Sequence, residues 1–131
     1  MDVTCAILIH NKTVLLARRA QGSDRAGLWE FPGGKLHKDE TLHNCIKREI
    51  FEELNVTIKI ISDGPVVKHS YPDKTIKLFP FICSISEGVP KPIVHAELKW
   101  TPFEQLTVMD LCQADKLIAQ WFISNLNLLS L

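Results

Sequence analysis

Between Thr41 and Leu54 the chain sets three glutamates, Glu49, Glu52 and Glu53, beside an apolar series of Leu42, Ile46 and Ile50. Read as a helix, this stretch brings the glutamates together at i, i+3 and i+4, on one face. Like charges at that spacing repel, and Glu49 opposes Glu53 directly by a few tenths of a kcal/mol. The same wheel puts Glu49 and Glu53 at the border of the apolar stripe, where a carboxylate loses water and drifts towards its neutral form unless a cation stands nearby. A solvated acidic face is the ordinary fate of such a cluster. A hard divalent ion bound through oxygen is the alternative that removes the conflict.

The residues around the helix favour the second reading. Gly34, Glu40, Arg48, Glu49, Ile50, Glu52, Glu53 and Val56 stand at the fixed positions of a motif that resembles the Nudix box, here spanning residues 34–56. One position departs: Asn55 stands where the family has glycine. That residue follows the helix and takes a left-handed backbone, for which Asn is the next best choice. Directly before the box, Trp29-Glu30-Phe31-Pro32-Gly33-Gly34-Lys35 is similar to the MutT-like branch of the family.

Composition fits this reading and excludes others. The 131 residues are 46% hydrophobic and 23% charged, enough for one domain with a real core. Fifteen basic and fifteen acidic side chains cancel, which argues against a nucleic-acid polymer or an anionic membrane as partner. The apolar run Val3–Ile9 is too short to span a bilayer and lacks a basic leader. Cys5, Cys45, Cys83 and Cys112 are scattered without C-x-x-C spacing, as expected of reduced core thiols in a cytoplasmic protein.

Along the chain, Val3–Ile9 and Thr13–Ala17 read as a strand hairpin around His10-Asn11-Lys12. Residues 57–61, 65–71 and 75–85 carry further strand patterns, with Ser62-Asp63-Gly64 as a turn. Pro80 marks its strand as an edge or as the site of a bulge. Two glycines after Pro32 predict a tight turn. Thr41 is the expected helix N-cap. A helical turn is expected at Phe103–Leu106. Residues 113–127 form an amphipathic helix, with Leu117, Ile118, Trp121, Phe122 and Leu126 as its stripe.

The resemblance, running from about Val3 to Phe122, implies an α/β (α+β) Nudix fold, a mixed sheet sandwiched between α-helices. It implies hydrolysis of a nucleoside triphosphate to the monophosphate and pyrophosphate, with Mg²⁺ as cofactor and Mn²⁺ as a substitute. On this reading Glu49, Glu52, Glu53 and the Gly33 backbone hold metal. Glu53 or Glu49 orients the attacking water, Arg48 restrains the acids, and Glu40 orients Arg48 or supports the metal shell. In many relatives an acid precedes His95; here that position is Val94, so either Glu97 takes its part or that carboxylate is missing. For the nucleotide, the resemblance points to Arg19, Phe31, Gly34, Lys35, Lys74 and Asp115, the last as reader of the base. An Asp accepts from a cytosine amino group when ionised and donates to a purine carbonyl when protonated, which leaves 8-oxo-dGTP, the first choice, and CTP or dCTP both open. Dinucleoside polyphosphates form a third branch, to which Tyr71 is suited by its spacing from the box. A nucleotide sensor without catalysis would normally have lost box glutamates. The chain is expected to act as a monomer or homodimer.

Overall fold

A computed structural model describes residues 1–131. Eight strands run as β1 (Asp2–His10), β2 (Thr13–Arg18), β3 (Trp29–Glu30), β4 (Gly33–Lys35), β5 (Thr57–Asp63), β6 (Val67–Ser70), β7 (Thr75–Glu87) and β8 (Glu97–Pro102). Helix α1 (Leu42–Leu54) follows β4, and α2 (Gln113–Ser124) and the short α3 (Leu126–Leu129) end the chain. The strands form one mixed sheet in the order β3-β2-β1-β7-β5, with β4 on β1, β6 on β7 and β8 on β2. Only β1 and β7 pair in parallel, from Asp2–Lys77 to Leu8–Cys83.

Strand alternation divides the core between the two helices. Cys5, Ile7, Val14, Leu16 and Ile82 point to one face, where Ala114, Ile118, Ala119 and Phe122 of α2 cover them. Ala6, Leu8, Leu15, Phe81 and Cys83 point to the other, under Ile46, Ile50 and Leu54 of α1. Each fully buried aliphatic side chain contributes roughly 1.5–3 kcal/mol, so both helices are fixed mainly by this contact. The layered architecture agrees with expectation. All four cysteines are buried and unpaired, and no helix is long and apolar enough to cross a membrane.

The ends of α1 explain its position. Thr41 Oγ1 accepts the Asn44 N–H at 3.1 Å, capping the first turn. Asn55 closes the last turn at φ 57°, ψ 40°, with its N–H on the Phe51 carbonyl at 2.9 Å. Asn therefore meets the left-handed requirement that glycine meets elsewhere in the family.

Four local expectations change. Gly33–Lys35 is not a tight turn but a strand, paired antiparallel with Val3–Cys5. A Cβ on Gly33 would lie 2.0 Å from the Thr4 carbonyl oxygen, so glycine serves close strand approach here rather than a turn. Pro80 lies in the sheet interior, opposite Cys5 of β1. It is tolerated because its other flank falls between two partners, β5 ending at Asp63–Phe81 and β6 beginning at Val67–Leu78. The predicted bulge lies close by, as a register shift between Ile60 and Ser62, and Ser62 and Asp63 belong to β5 rather than to a turn. The final helix breaks at Asn125, and Leu117 is 44% exposed: the covered stripe is Ala114, Asp115, Ile118, Ala119 and Phe122.

Candidate active site

The α1 glutamates meet the rest of the chain through Arg48. Its guanidinium grips Glu40 in a fork, Nε to Oε2 at 2.7 Å and Nη2 to Oε1 at 3.0 Å. The other nitrogen, Nη1, donates to Glu49 and to Glu52, both at 2.8 Å. One cation thus serves three carboxylates, and the like-charge conflict of the helix face is relieved by charge-assisted hydrogen bonds. Arg48, with the His37 N–H behind it, lowers the Glu40 carboxyl to about 2. The expected role of Glu40 in orienting Arg48 has its geometry here.

Glu53 is set apart from this cluster. It turns under the β4 strand, where Oε1 accepts the Gly33 N–H at 3.2 Å. Burial, with the charges of Glu30 and Glu49 adding to it, pushes its carboxyl up to about 7 against the pull of His95 and the Gly33 N–H. Gly34 leaves room for the second acid: a Cβ there would stand 2.2 Å from Glu49 Oε2. Glu49, Glu53 and the Gly33–Gly34 backbone are therefore packed around one another, and only glycine fits between.

A cavity of about 220 Å³ opens beside Glu53, and Arg19, Phe31, Gly33, Gly34, Lys35, Lys74 and Asp115 all line it. Every residue expected to contact nucleotide, together with the Gly33 backbone, thus faces one space. Phe31 is also core, 2% exposed, so it forms the floor rather than a mobile lid. Asp115 is buried, at 7% exposure, because Trp29 pairs with the segment entering α2: its N–H reaches the Asp110 carbonyl, and its carbonyl accepts the Cys112 N–H. That docking lets Asp115 Oδ1 accept the Phe31 N–H at 2.9 Å. Burial, then the nearby charge of Glu30, pushes its carboxyl up to about 8.

Glu97 does not join these acids. Leu98 packs on the α1 side, so its neighbour points to the opposite face, where Glu97 pairs with Arg18 at 3.0 Å. Glu97 lines neither the cavity nor the wall beside Glu53, so the position of the acid missing at Val94 is not filled by it here.

Sequence reasoning missed Glu30 and His95. Glu30 is held by Arg19 Nη1 at 2.8 Å and by His95 Nε2 at 2.9 Å. Burial alone would raise its carboxyl, but the His95 and Arg19 bonds outweigh it and bring it below the usual range. Arg19, Glu30 and Glu53 also line a second, smaller hollow with Val94 and His95, joining the two spaces along one wall. An acid set between Trp29 and Phe31 in an otherwise apolar segment was the signal for Glu30. His95 stands in a segment similar to that of relatives, but the sequence assigns it no role, since its partner lies 65 residues away. Arg25 was missed as well; it lines the cavity with its guanidinium 4.0 Å over the Tyr71 ring.

The acids suit a hard cation by type, since Glu49, Glu52, Glu53 and the Gly33 carbonyl all offer oxygen. The Glu53 carboxyl, raised by burial and then by the charges of Glu30 and Glu49, is a group that a bound cation would return to its ionised form. As they stand, no three His, Cys, Asp or Glu side chains cage an ion; Arg48 holds Glu49 and Glu52, so loading requires it to share them.

Comparison with known proteins agrees with this geometry. A family model described as NUDIX domain matches residues 3–121. The chain is 32% identical over 103 residues to an 8-oxo-dGTP diphosphatase of Buchnera aphidicola, covering 79% of this chain and 81% of the relative. It is 29% identical over 124 residues to a CTP pyrophosphohydrolase of Escherichia coli, covering 95% and 92% respectively. Among solved structures, the MutT protein of Methanosarcina mazei superposes with a TM-score of 0.85 at 25% identity, over 97% of this chain and 94% of that one. The E. coli ORF135 protein gives 0.82 at 28% identity, over 95% and 89%. A box of glutamates tied by one arginine, two glycines beneath them and a cavity alongside are thus carried on a shared fold, and the chain belongs to the Nudix hydrolase family, in its MutT-like part.

Proposed function

We propose that this pyrophosphohydrolase is Mg²⁺-dependent and cleaves 8-oxo-dGTP to 8-oxo-dGMP and pyrophosphate, with its 131 residues forming a single Nudix domain. The observation that carries this reading is Asp115, buried in the cavity with its carboxyl raised to about 8. At neutral pH such a group keeps its proton and donates to a base carbonyl, as an oxidised purine presents. A cytosine amino group calls for the ionised form, so CTP or dCTP is the second reading, supported by the E. coli CTP pyrophosphohydrolase relative. Dinucleoside polyphosphates rank below both because the Trp29–Lys35 stretch is similar to the MutT-like branch, and simple nucleotide sensing because the full set of box glutamates is kept.

Glu49, Glu52, Glu53 and the Gly33 carbonyl would hold the metal, which neutralises charge on the phosphates and activates water. The protein's own part is positional. Arg48 keeps Glu49 and Glu52 aligned, Gly34 leaves space for Glu49, and Glu53 sits where a proton can be taken from water. Arg19, Lys35 and Lys74 bring positive charge to the cavity for the polyphosphate. Glu97 has no part in this assignment, because it faces the far side of the sheet.

The test is a hydrolysis panel with and without Mg²⁺, comparing 8-oxo-dGTP, dGTP, CTP, dCTP, 5-methyl-dCTP and diadenosine tetraphosphate by kcat/KM. A clear metal-dependent preference for 8-oxo-dGTP over dGTP is expected. A cytosine nucleotide at the top would overturn the substrate and leave the chemistry standing. Tight nucleotide binding with no turnover under any metal would make the protein a sensor.

A further inference from the structure

Tyr71 lies in the hairpin between β6 and β7, yet its hydroxyl reaches α2. Cys112, the residue before α2, makes no side-chain cap. The second amide of the helix, Ala114 N–H, donates instead to Tyr71 Oη at 3.0 Å. The ring is fixed from two directions, by the Arg25 guanidinium 4.0 Å from its centroid and by the edge of His69 at 4.5 Å. Arg25 is in turn tied to Asp73 at 3.2 Å. The side chain is therefore oriented before any ligand enters.

A tyrosine hydroxyl has one proton to give and lone pairs to receive. Here the helix amide uses a lone pair, and no protein acceptor takes the proton. The residue after Ala114 is Asp115, and both Tyr71 and Asp115 line the cavity. Asp115 Oδ1 is engaged by the Phe31 N–H, and its second oxygen has no hydrogen-bond partner from another residue. The cavity lining thus holds the Tyr71 hydroxyl, its oxygen positioned by the Ala114 N–H, together with the second oxygen of the Asp115 carboxyl.

We infer that Tyr71 is a specificity-determining residue whose hydroxyl donates to a carbonyl oxygen of the base, selecting an oxopurine over a base with an amino group or hydrogen at that position. The inference rests on the purine reading above and adds to it the residue that recognises the 6-oxo group. An exocyclic amine or a hydrogen offers no acceptor there, and either would leave the Tyr71 proton unpaired.

The experiment compares the full chain and Tyr71→Phe by titration calorimetry in EDTA, which removes metal and turnover from the readout. The probes are dGMP and the deoxyribonucleoside monophosphate of 2-aminopurine, which lacks the 6-oxo group. The wild-type chain is expected to prefer dGMP by about tenfold, and Tyr71→Phe to bring the ratio to within about threefold of one, the size of one neutral hydrogen bond. A merely structural loss of the Ala114 cap would weaken both probes alike and leave the ratio unchanged. That result overturns the inference. Tyr71 is the only tyrosine in the chain, so 3-fluorotyrosine labels it alone, and its fluorine resonance in the wild-type sequence is expected to move on saturation with dGMP. An unmoved resonance also overturns the inference, and this arm stands if Tyr71→Phe fails to fold. A variant that hydrolyses 8-oxo-dGTP with its base preference intact overturns the role of Tyr71 while the enzyme assignment survives. A wild-type chain that neither binds nor cleaves purine nucleotides overturns both.

Discussion

Asp115→Asn replaces the raised, buried carboxyl with a neutral group of the same shape, and stability should respond in proportion to pH. The folded chain holds the Asp115 proton up to about pH 8, while the unfolded chain releases it near the ordinary value of 3.8. Between those limits the native state binds more protons than the unfolded state, so wild-type stability falls as pH rises. Each pH unit costs about 1.4 kcal/mol. From 3.8 to 7 the accumulated cost is about 4 kcal/mol, and it stops growing above about 8, where both states are ionised. The Asp115→Asn variant carries no such term. Its amide oxygen can still accept the Phe31 N–H, but its amide nitrogen needs a partner in a site built for a carboxyl, a loss of about 1–2 kcal/mol at every pH. The balance puts the variant below wild type at pH 4.5 and above it by about 2–3 kcal/mol at pH 7.

Thermal melts of the two proteins by circular dichroism, from pH 4.5 to 9, read this directly. For a chain of this length 1 kcal/mol corresponds to roughly 3–5 °C, so the difference in Tm should swing by on the order of 15 °C between pH 4.5 and 8 and then level off. Other carboxylates titrate in both proteins and cancel in the difference. A difference in Tm that is constant across the range would refute the reasoning, because it would mean that Asp115 is ionised in the folded state. The same titration has a functional side: above about pH 8 the carboxyl ceases to be a donor, and kcat/KM for an 8-oxo-dGTP substrate should fall with it.

Three other substitutions probe the α1 side. Glu53→Gln keeps the contact with the Gly33 N–H and should leave the circular dichroism spectrum unchanged while lowering kcat by roughly a thousandfold or more; near-full activity in a folded variant would remove Glu53 from the mechanism. Gly34→Ala drives a methyl group into the Glu49 carboxylate, so activity should fall at least about tenfold with little change in Tm, and an unaltered kcat would show that Glu49 need not stay where it is. Asn55→Val places a β-branched residue at φ 57° and should cost about 1–2 kcal/mol in urea unfolding, whereas Asn55→Gly should be neutral or slightly stabilising; equal stability of the two would contradict the left-handed helix end.

What the sequence revealed and what it hid follow from the range of the interactions. The box was legible because its logic is local. Arg48, Glu49, Glu52 and Glu53 meet within one turn or two of helix, and Thr41 and Asn55 fix the ends by their own backbone chemistry. The strand at Gly33–Lys35 was hidden because a glycine pair reads the same in a turn as in a strand pressed against a neighbour. What separates the two is the Thr4 carbonyl, 29 residues away. Leu117 illustrates a subtler limit: the apolar series through α2 was real, but the sheet it packs on is reached by the Ala114–Ile118–Phe122 side of the wheel, and nothing in a helical period fixes that rotation.

The distal wall of the site is the case in which local pattern and long-range partner pull apart. With Val94 in place of an acid, the nearest carboxylate in sequence was Glu97, and proximity along the chain made it the natural substitute. The start of β8 decides otherwise: Val94 lies in the bend before the strand, and Glu97, its first residue, points away from Leu98 and the α1 side. Glu97 accordingly finds Arg18, while the wall beside Glu53 is completed by Glu30, brought there by β3 and locked by Arg19 from the end of β2 and His95 from the segment before β8. These groups come from three separate parts of the chain, and each alone is an ordinary surface-type residue. Their burial is tolerated only because the carboxylate receives two hydrogen bonds, one of them from a guanidinium, so the carboxylate stays charged where burial alone would neutralise it. Glu30 thus keeps its charge while burial raises the neighbouring Glu53 carboxyl to about 7, so the wall sets two adjacent acids apart. That division of labour is a property of the assembled wall, which is why no motif in the sequence announced it.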